Sequence, residues 1–164
     1  MAADVSTLEN SIKTTTERFI KAYVDACEKK DASLFSLDLT EDCRRHIGPP
    51  HFLTSLGAPP ELSLSNTDYE QMWVKEMPYY TADTYEIFNL VIDTKNLKSA
   101  CRSTFTGVFS DGTKGERNLV WFLDFTDDGS KVNKIYQLND PEEARNYRFK
   151  VEGLAGEQTH IPGR

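Results

Sequence analysis

The sequence predicts an α+β domain in which helices come first and an antiparallel sheet follows. Three observations predict it. Apolar residues up to about position 78 recur at helical spacing. From Thr81 onward the period changes to two, with β-branched and aromatic residues in the majority. Short turns such as Asp111-Gly112 and Asp127-Asp128-Gly129 punctuate the second half. The 164 residues suffice for one domain with its own core and are too few for two ordinary ones. A single domain over 1–164 is therefore expected, with its core at about 6–140 and an arm and tail at 141–164.

Ser6-Thr7-Leu8-Glu9 has the pattern of a capping box, in which a hydroxyl and a carboxylate satisfy free backbone N–H groups. A long helix is expected from there to about Lys29, with Ile12, Phe19, Ile20, Tyr23, Val24 and Cys27 mostly on one stripe. Asp31 can cap a short second helix over 32–37. A short strand is expected at 43–48, ended by Pro49 and Pro50, which cannot donate to a ladder. The segment 49–64, with four prolines and Gly57, reads as an irregular flap, more apolar than a linker needs. Ser65 or Asn66 starts a third helix carrying Tyr69, Met72, Trp73 and Met77 and ending at Pro78. Strands follow at 84–93, 98–110, 116–126 and 131–139, and their short links make them an antiparallel meander. Beyond them, 141–164 reads as a polar helix or arm around Tyr147, Phe149 and Val151, then a tail to which no chemistry is assigned.

Composition excludes several functions. A net charge of -7 opposes phosphate backbones, because nucleic-acid binding needs clustered Lys and Arg. A neutral or weakly polar, hydrophobic small molecule suits the chain better. No window approaches the roughly 18 apolar residues of a membrane span, and the first residues lack a basic, apolar leader pattern, so a cytoplasmic location is expected. Cys27, Cys43 and Cys101 are odd in number and far apart, and are expected as reduced, semi-buried thiols. There is no GxGxxG, Walker, HExxH or GxSxG motif and no metal-ligand spacing, so no cofactor and no metal are expected.

The element order, together with Thr40-Glu41-Asp42-Cys43, Ile47, Leu56-Gly57, Pro59-Pro60, the Asn66–Tyr69 run, Met77-Pro78, Asn118 to Phe125 and Lys131 to Ile135, resembles a known family. It is similar to the SnoaL-like proteins of fungal polyketide and meroterpenoid pathways, over roughly 6–140. These share the cone of nuclear transport factor two, ketosteroid isomerases and scytalone dehydratase. The resemblance implies a curved antiparallel sheet wrapped around helices, about three N-terminal helices, a four-stranded meander and one short strand. It also implies a cofactor-independent acid/base cyclase or isomerase. The alternatives are a dehydratase of the scytalone dehydratase type, which needs a His pair or His/Asp pair across the pocket, and a non-catalytic binding or dimerisation module.

Such a cone holds a pocket on the concave face of its sheet, so inward polar residues are the informative ones. Both faces of 118–125 are apolar. Placing Asn118, Val120, Phe122 and Asp124 inward leaves Leu119, Trp121, Leu123 and Phe125 for a partner subunit, and a homodimer is then expected. Asp124, two residues beyond Phe122 in apolar surroundings, is the candidate general base or acid; exposure at the strand end fits the sequence equally. His46, with an ordinary pKa of ~6.5, is the second candidate proton handler, and a solvated place beside Arg44 and Arg45 fits as well. His51 in the flap covers the ligand or bonds loop backbone, the second being favoured. Gln137 beside Asn118 supplies neutral amide donors for a carbonyl or enolate, or a sheet-edge hydrogen bond. Tyr69, Trp73 and Phe122 wall the pocket or fill the core.

Overall fold

The computed structural model describes residues 5–156. Helix α1, Val5–Lys29, buries Ile12, Thr15, Thr16, Phe19, Ile20, Tyr23, Ala26 and Cys27, a stripe at three- and four-residue spacing that lies against the sheet. It begins one residue before Ser6, which therefore sits inside its first turn. Asp31 acts as the expected N-cap, accepting from the Ser33 amide at 3.0 Å, but the element it caps is a 3-10 helix, Ala32–Ser36. Strand β1, Leu39–Gly48, is longer than expected. The flap contains a short helix α2, Pro50–Ser55, with Phe52 and Leu53 buried, and a two-residue strand β2, Ser63–Leu64. Helix α3, Asn66–Glu76, is capped by Ser65 in a full capping box with Asp68. Ser65→Ala is expected to cost about 1 kcal/mol, read as a shift in urea midpoint at unchanged m-value.

Only α1 is long among the three helices expected before the meander: the second is a 3-10 turn, and α3 spans 11 residues.

Strands β3 (Tyr80–Asp93), β4 (Lys98–Phe109), β5 (Lys114–Phe125) and β6 (Val132–Asn139) form the expected antiparallel meander. The whole sheet is six-stranded, in the order β2-β1-β6-β5-β4-β3, and it is mixed, because β1 runs parallel to β6. That pairing joins residues about ninety apart in sequence, beyond the reach of local turn chemistry. Register shifts at Ala82/Thr84 and Phe88/Val91, the latter with Asn89 at φ 55, bend β3.

The inward set on β5 is the reverse of the sequence expectation. Leu119, Trp121, Leu123 and Phe125 are buried on the concave face, with Trp121 at 0% exposure, while Phe122 on the convex face is 47% exposed. Both sets are apolar, so alternation alone leaves the phase open, and side-chain volume decides it. Trp121 meets Phe19 of α1 edge-on at 5.1 Å, and its Nε1 donates to Ser103 Oγ at 2.7 Å. The smaller set, with Asn118 and Asp124, tolerates water. The three cysteines are buried free thiols.

Helix α4, Pro141–Leu154, is capped by Asp140 and packs on β5, with Tyr147 and Val151 buried. Two glycines let aromatic rings approach the strand ends beneath it: a Cβ on Gly107 would lie 2.5 Å from Tyr80 Oη, and one on Gly115 2.6 Å from Phe109. Among the described residues no helix is long and apolar enough to cross a membrane.

Candidate functional site

The deep part of the cone is built around a buried cation. β1 presents Arg45 inward, 3% exposed, between Cys43 and Ile47. Its Nη1 donates to Tyr23 Oη at 2.8 Å and Gln137 Oε1 at 3.0 Å, and its guanidinium carbon lies 3.7 Å from the Tyr69 ring centroid. Tyr23 and Tyr69 share a hydrogen bond at 2.6 Å. Burial pushes the Tyr23 phenol well above its ordinary pKa, against the pull of Arg45, so it stays neutral at physiological pH. Phe35 stacks on Trp73 at 5.0 Å and meets Tyr23 at 4.9 Å, closing an aromatic wall.

Nearer the mouth, α3, β5 and α4 bring a second polar set together. Tyr69, Trp73 and Glu76 fall at i, i+4 and i+7 on α3, so a carboxylate sits on its inward stripe. Tyr147 Oη donates to Glu76 Oε2 at 2.8 Å, and Arg117 stacks over the Tyr147 ring at 4.2 Å. Burial raises the Glu76 pKa; the opposing pull of Arg117 and of the Tyr147 hydrogen bond is smaller. Tyr80, raised to about 12 by burial, completes the set with a buried hydroxyl that has no partner.

Two clefts flank α4. One of about 430 Å³ lies against the β4–β5 hairpin, lined by Tyr80, Phe109, Arg117, Glu143 and Tyr147 among others. The other, of about 690 Å³, lies between α3 and α4 and is lined by Met72, Glu76, Tyr79, Arg148 and Val151 among others. The Tyr147–Glu76 hydrogen bond therefore joins the two clefts beneath the helix. A desolvated carboxyl between a guanidinium and a phenol can give and take a proton, and the cation can stabilise a developing oxyanion.

The residues singled out from sequence divide between the faces. Tyr69, Trp73 and Gln137 lie inside, at 4%, 2% and 4% exposure. Asp124 lies on the convex face, where Lys98 Nζ donates to it at 2.6 Å, so the expected apolar surroundings are replaced by a surface ion pair. Phe122 shares that face and meets Tyr136 edge-on at 6.3 Å. Asn118 is also outward, donating to Glu143 and accepting from Thr104, and so does not stand beside Gln137. His46 is half-buried, opposite Ser63 and Tyr136 in the ladder and on the face away from Arg45. Strand β6 separates it from Asp124, so the two do not form a pair. His51 is exposed on α2. Of the described histidines, His46 lies on the face away from Arg45 and His51 is exposed, so neither contributes to the His pair or His/Asp pair across the pocket that a scytalone-type dehydratase needs. Among the described residues no three His, Cys, Asp or Glu side chains converge as a metal set.

Sequence reasoning missed Arg45, Glu76, Arg117 and Tyr147. The helical stripe through Tyr69 and Trp73 contained the signal for Glu76. Arg117 shares parity with Trp121, so the wrong phase on β5 concealed it. Arg45 is one of two adjacent arginines, and only the ladder shows which points inward.

No protein-family model matches the sequence, and a search of curated proteins finds no match. Solved structures do match. The pinacolase BvnE from Penicillium brevicompactum superposes with a TM-score of 0.72 at 12% identity, over 90% of this chain and 99% of its own. PrhC from Penicillium brasilianum gives 0.65 at 18%, over 88% and 94%, and AusH from Aspergillus nidulans 0.61 at 16%, over 80% and 84%. At these identities the likeness is one of architecture. The chain has the cone-shaped SnoaL-like fold of the nuclear transport factor two type.

Proposed function

We propose that the protein is a cofactor-independent acid/base enzyme, a cyclase or isomerase acting on a polyketide or meroterpenoid intermediate of fungal secondary metabolism. Glu76 handles the proton in this reading, Arg117 stabilises negative charge developing on the substrate, and Tyr147 holds the carboxyl in place. The observation that carries it is the half-buried Glu76 carboxyl, its pKa raised by desolvation, bonded by Tyr147 and with Arg117 as its electrostatic partner where two clefts meet. The architecture shared with a pinacolase supports a rearranging rather than a transporting role, by analogy of fold. Proton transfer is assigned to Glu76 rather than to Asp124 or His46, because both of those side chains face away from the cone. A nitrobenzisoxazole, whose ring opens on loss of one proton, is a suitable probe. Wild type should accelerate its opening, Glu76→Gln should abolish the acceleration, and Asp124→Asn should leave it unchanged. Equal rates for wild type and Glu76→Gln would remove Glu76 from the mechanism.

A second reading, a binding module without chemistry, is favoured by the interlocked aromatics that occupy the deep cone, Phe19, Tyr23, Phe35, Trp73 and Trp121. It is the correct one if no variant alters the probe reaction.

A homodimer remains part of the proposal, on different residues from those expected of the sequence. Val91, Ala100, Phe122 and Tyr136 face one another across four strands of the convex face, with Val91 64% and Phe122 47% exposed. Sedimentation equilibrium at micromolar concentration should show a dimer, and Phe122→Glu should shift it to monomer. A wild-type monomer would contradict the dimer.

A further inference from the structure

Arg117 borders the cleft of about 430 Å³ beside α4 with its donors unused. Among the described residues no hydrogen bond or ion pair involves its guanidinium, which is held by the ring face of Tyr147 at 4.2 Å. Glu76 acts on it electrostatically without forming a direct pair. The carboxylates that line the cleft are committed elsewhere. Glu143 accepts through one oxygen from Asn118 N and through the other from Asn118 Nδ2, both at 2.8 Å, and Glu116 accepts from the same Nδ2 at 3.1 Å. Arg45 Nη2 is sealed among packed rings, whereas no nitrogen of the half-buried Arg117 is both sealed from solvent and unpartnered, so its N–H groups reach the open space of the cleft.

The walls around that space are apolar. Tyr80, Phe109 and Tyr147 form a three-ring cluster with centroids 5.1, 5.1 and 5.9 Å apart. Lys150, paired with Asp111, stands with Nζ 5.8 Å from the Phe109 centroid. A volume of about 430 Å³ lies within the roughly 300–1,000 Å³ of sites that hold small organic molecules. A planar fork of N–H donors beside aromatic walls matches a carboxylate carried on a flat apolar skeleton.

We infer that this cleft binds an aromatic or polycyclic carboxylic acid, its carboxylate docking on Arg117 and its rings lying along Tyr80, Phe109 and Tyr147. This rests on the proposed function and narrows the substrate to an acid. A bidentate carboxylate uses two of the five guanidinium N–H groups, which leaves others for the oxygen at which charge develops. The net charge of -7 opposes acids at long range, but exposed charges are screened over a Debye length of about 8 Å in physiological salt, and contacts in a partly desolvated cleft are screened much less. Stacking on Tyr147 already orders the Arg117 side chain, so little of its freedom is lost on docking.

Calorimetric titration with 2-naphthoate and 2-naphthamide tests the inference, since the two share a shape and differ in charge. Wild type should bind the naphthoate about tenfold or more tightly, the margin of one charge-assisted hydrogen bond. Arg117→Met should bring the ratio to one, and Arg117→Lys should retain part of it; a cooperative thermal melt establishes that each variant is folded. Asn146 is exposed on α4 and lines the same cleft, so Asn146→Trp should fill it and weaken both probes. If Arg117→Met does not fold, the wild-type ratio and the loss in Asn146→Trp decide. Equal affinities in wild type, a preference that survives in folded Arg117→Met, unaltered binding in Asn146→Trp, or no binding of either probe would overturn the inference. Glu76→Gln should not lower the naphthoate preference. If that preference depends on Arg117 while Glu76→Gln leaves the benzisoxazole reaction unchanged, the acid-binding cleft stands and the acid/base function fails. If Glu76→Gln abolishes that reaction while the two naphthyl probes bind equally, the acid/base function stands and the acid-binding cleft fails.

Discussion

Replacing Trp121 with alanine is expected to lower the unfolding free energy by about 3–5 kcal/mol, the largest stability loss for any single truncation in the cone. The residue is fully buried, meets Phe19 at 5.1 Å and Tyr23 at 5.5 Å, and pairs through its indole N–H with Ser103. Truncation leaves a cavity that α1 cannot collapse into, because Ile12, Phe19 and Ile20 fix its distance from the sheet. It also leaves the Ser103 hydroxyl without its indole donor. Phe122→Ala, one residue away, should cost about 1 kcal/mol or less when measured on the monomer, since the ring is already half in water. Urea unfolding of the two variants reads the facing of β5 directly, and the opposite ranking would mean that the strand is reversed.

The largest functional effect is expected from Glu76→Gln. Removing a positioned general base lowers a proton-transfer rate by about 10²–10⁴-fold, and the probe reaction should fall within that range. Stability should move the other way. Burial raises the folded-state pKa of Glu76 above its unfolded value, so the folded state binds the extra proton more readily than the unfolded chain does. Wild type therefore loses stability relative to Glu76→Gln as pH rises from the ordinary glutamate pKa through the raised one, and the loss is complete above it. Urea midpoints of both proteins across that window check the sign. A wild-type advantage that grows with pH would mean that Arg117 and Tyr147 outweigh desolvation.

Legibility in the sequence depends on physical range. Elements decided by local chemistry were legible: the α1 stripe ending at Lys29, the Asp31 cap, the Ser65 start of α3, and turns such as Asp111-Gly112 all depend on residues within one turn of each other. The parallel pairing of β1 with β6 depends on contacts across the whole chain and was not legible. The inward set on β5 failed for a different reason. Two apolar faces give the same alternation in either phase, and only the indole's fit against α1 separates them. That single phase error moved Asp124 and Asn118 into the site and kept Arg117 out of it. Glu76 was recoverable, because a carboxylate at i+7 from Tyr69 on an apolar stripe is an anomaly that periodicity alone exposes. Tyr147 was seen as part of an arm, yet nothing local indicated that its hydroxyl would reach a residue 71 positions away.

The charge state of one carboxyl bears most directly on the proposed chemistry. Carbon-13 NMR of the Glu76 side chain, followed through a pH titration of the full chain and assigned with Glu76→Gln, gives its midpoint. The expected result is a midpoint above the ordinary glutamate value of ~4.3, falling toward that value when Val151→Ser lets more water reach the α3–α4 cleft without adding charge. A midpoint at or below the ordinary value would contradict a desolvated proton handler and leave Glu76 as a structural ion-pair partner of Arg117.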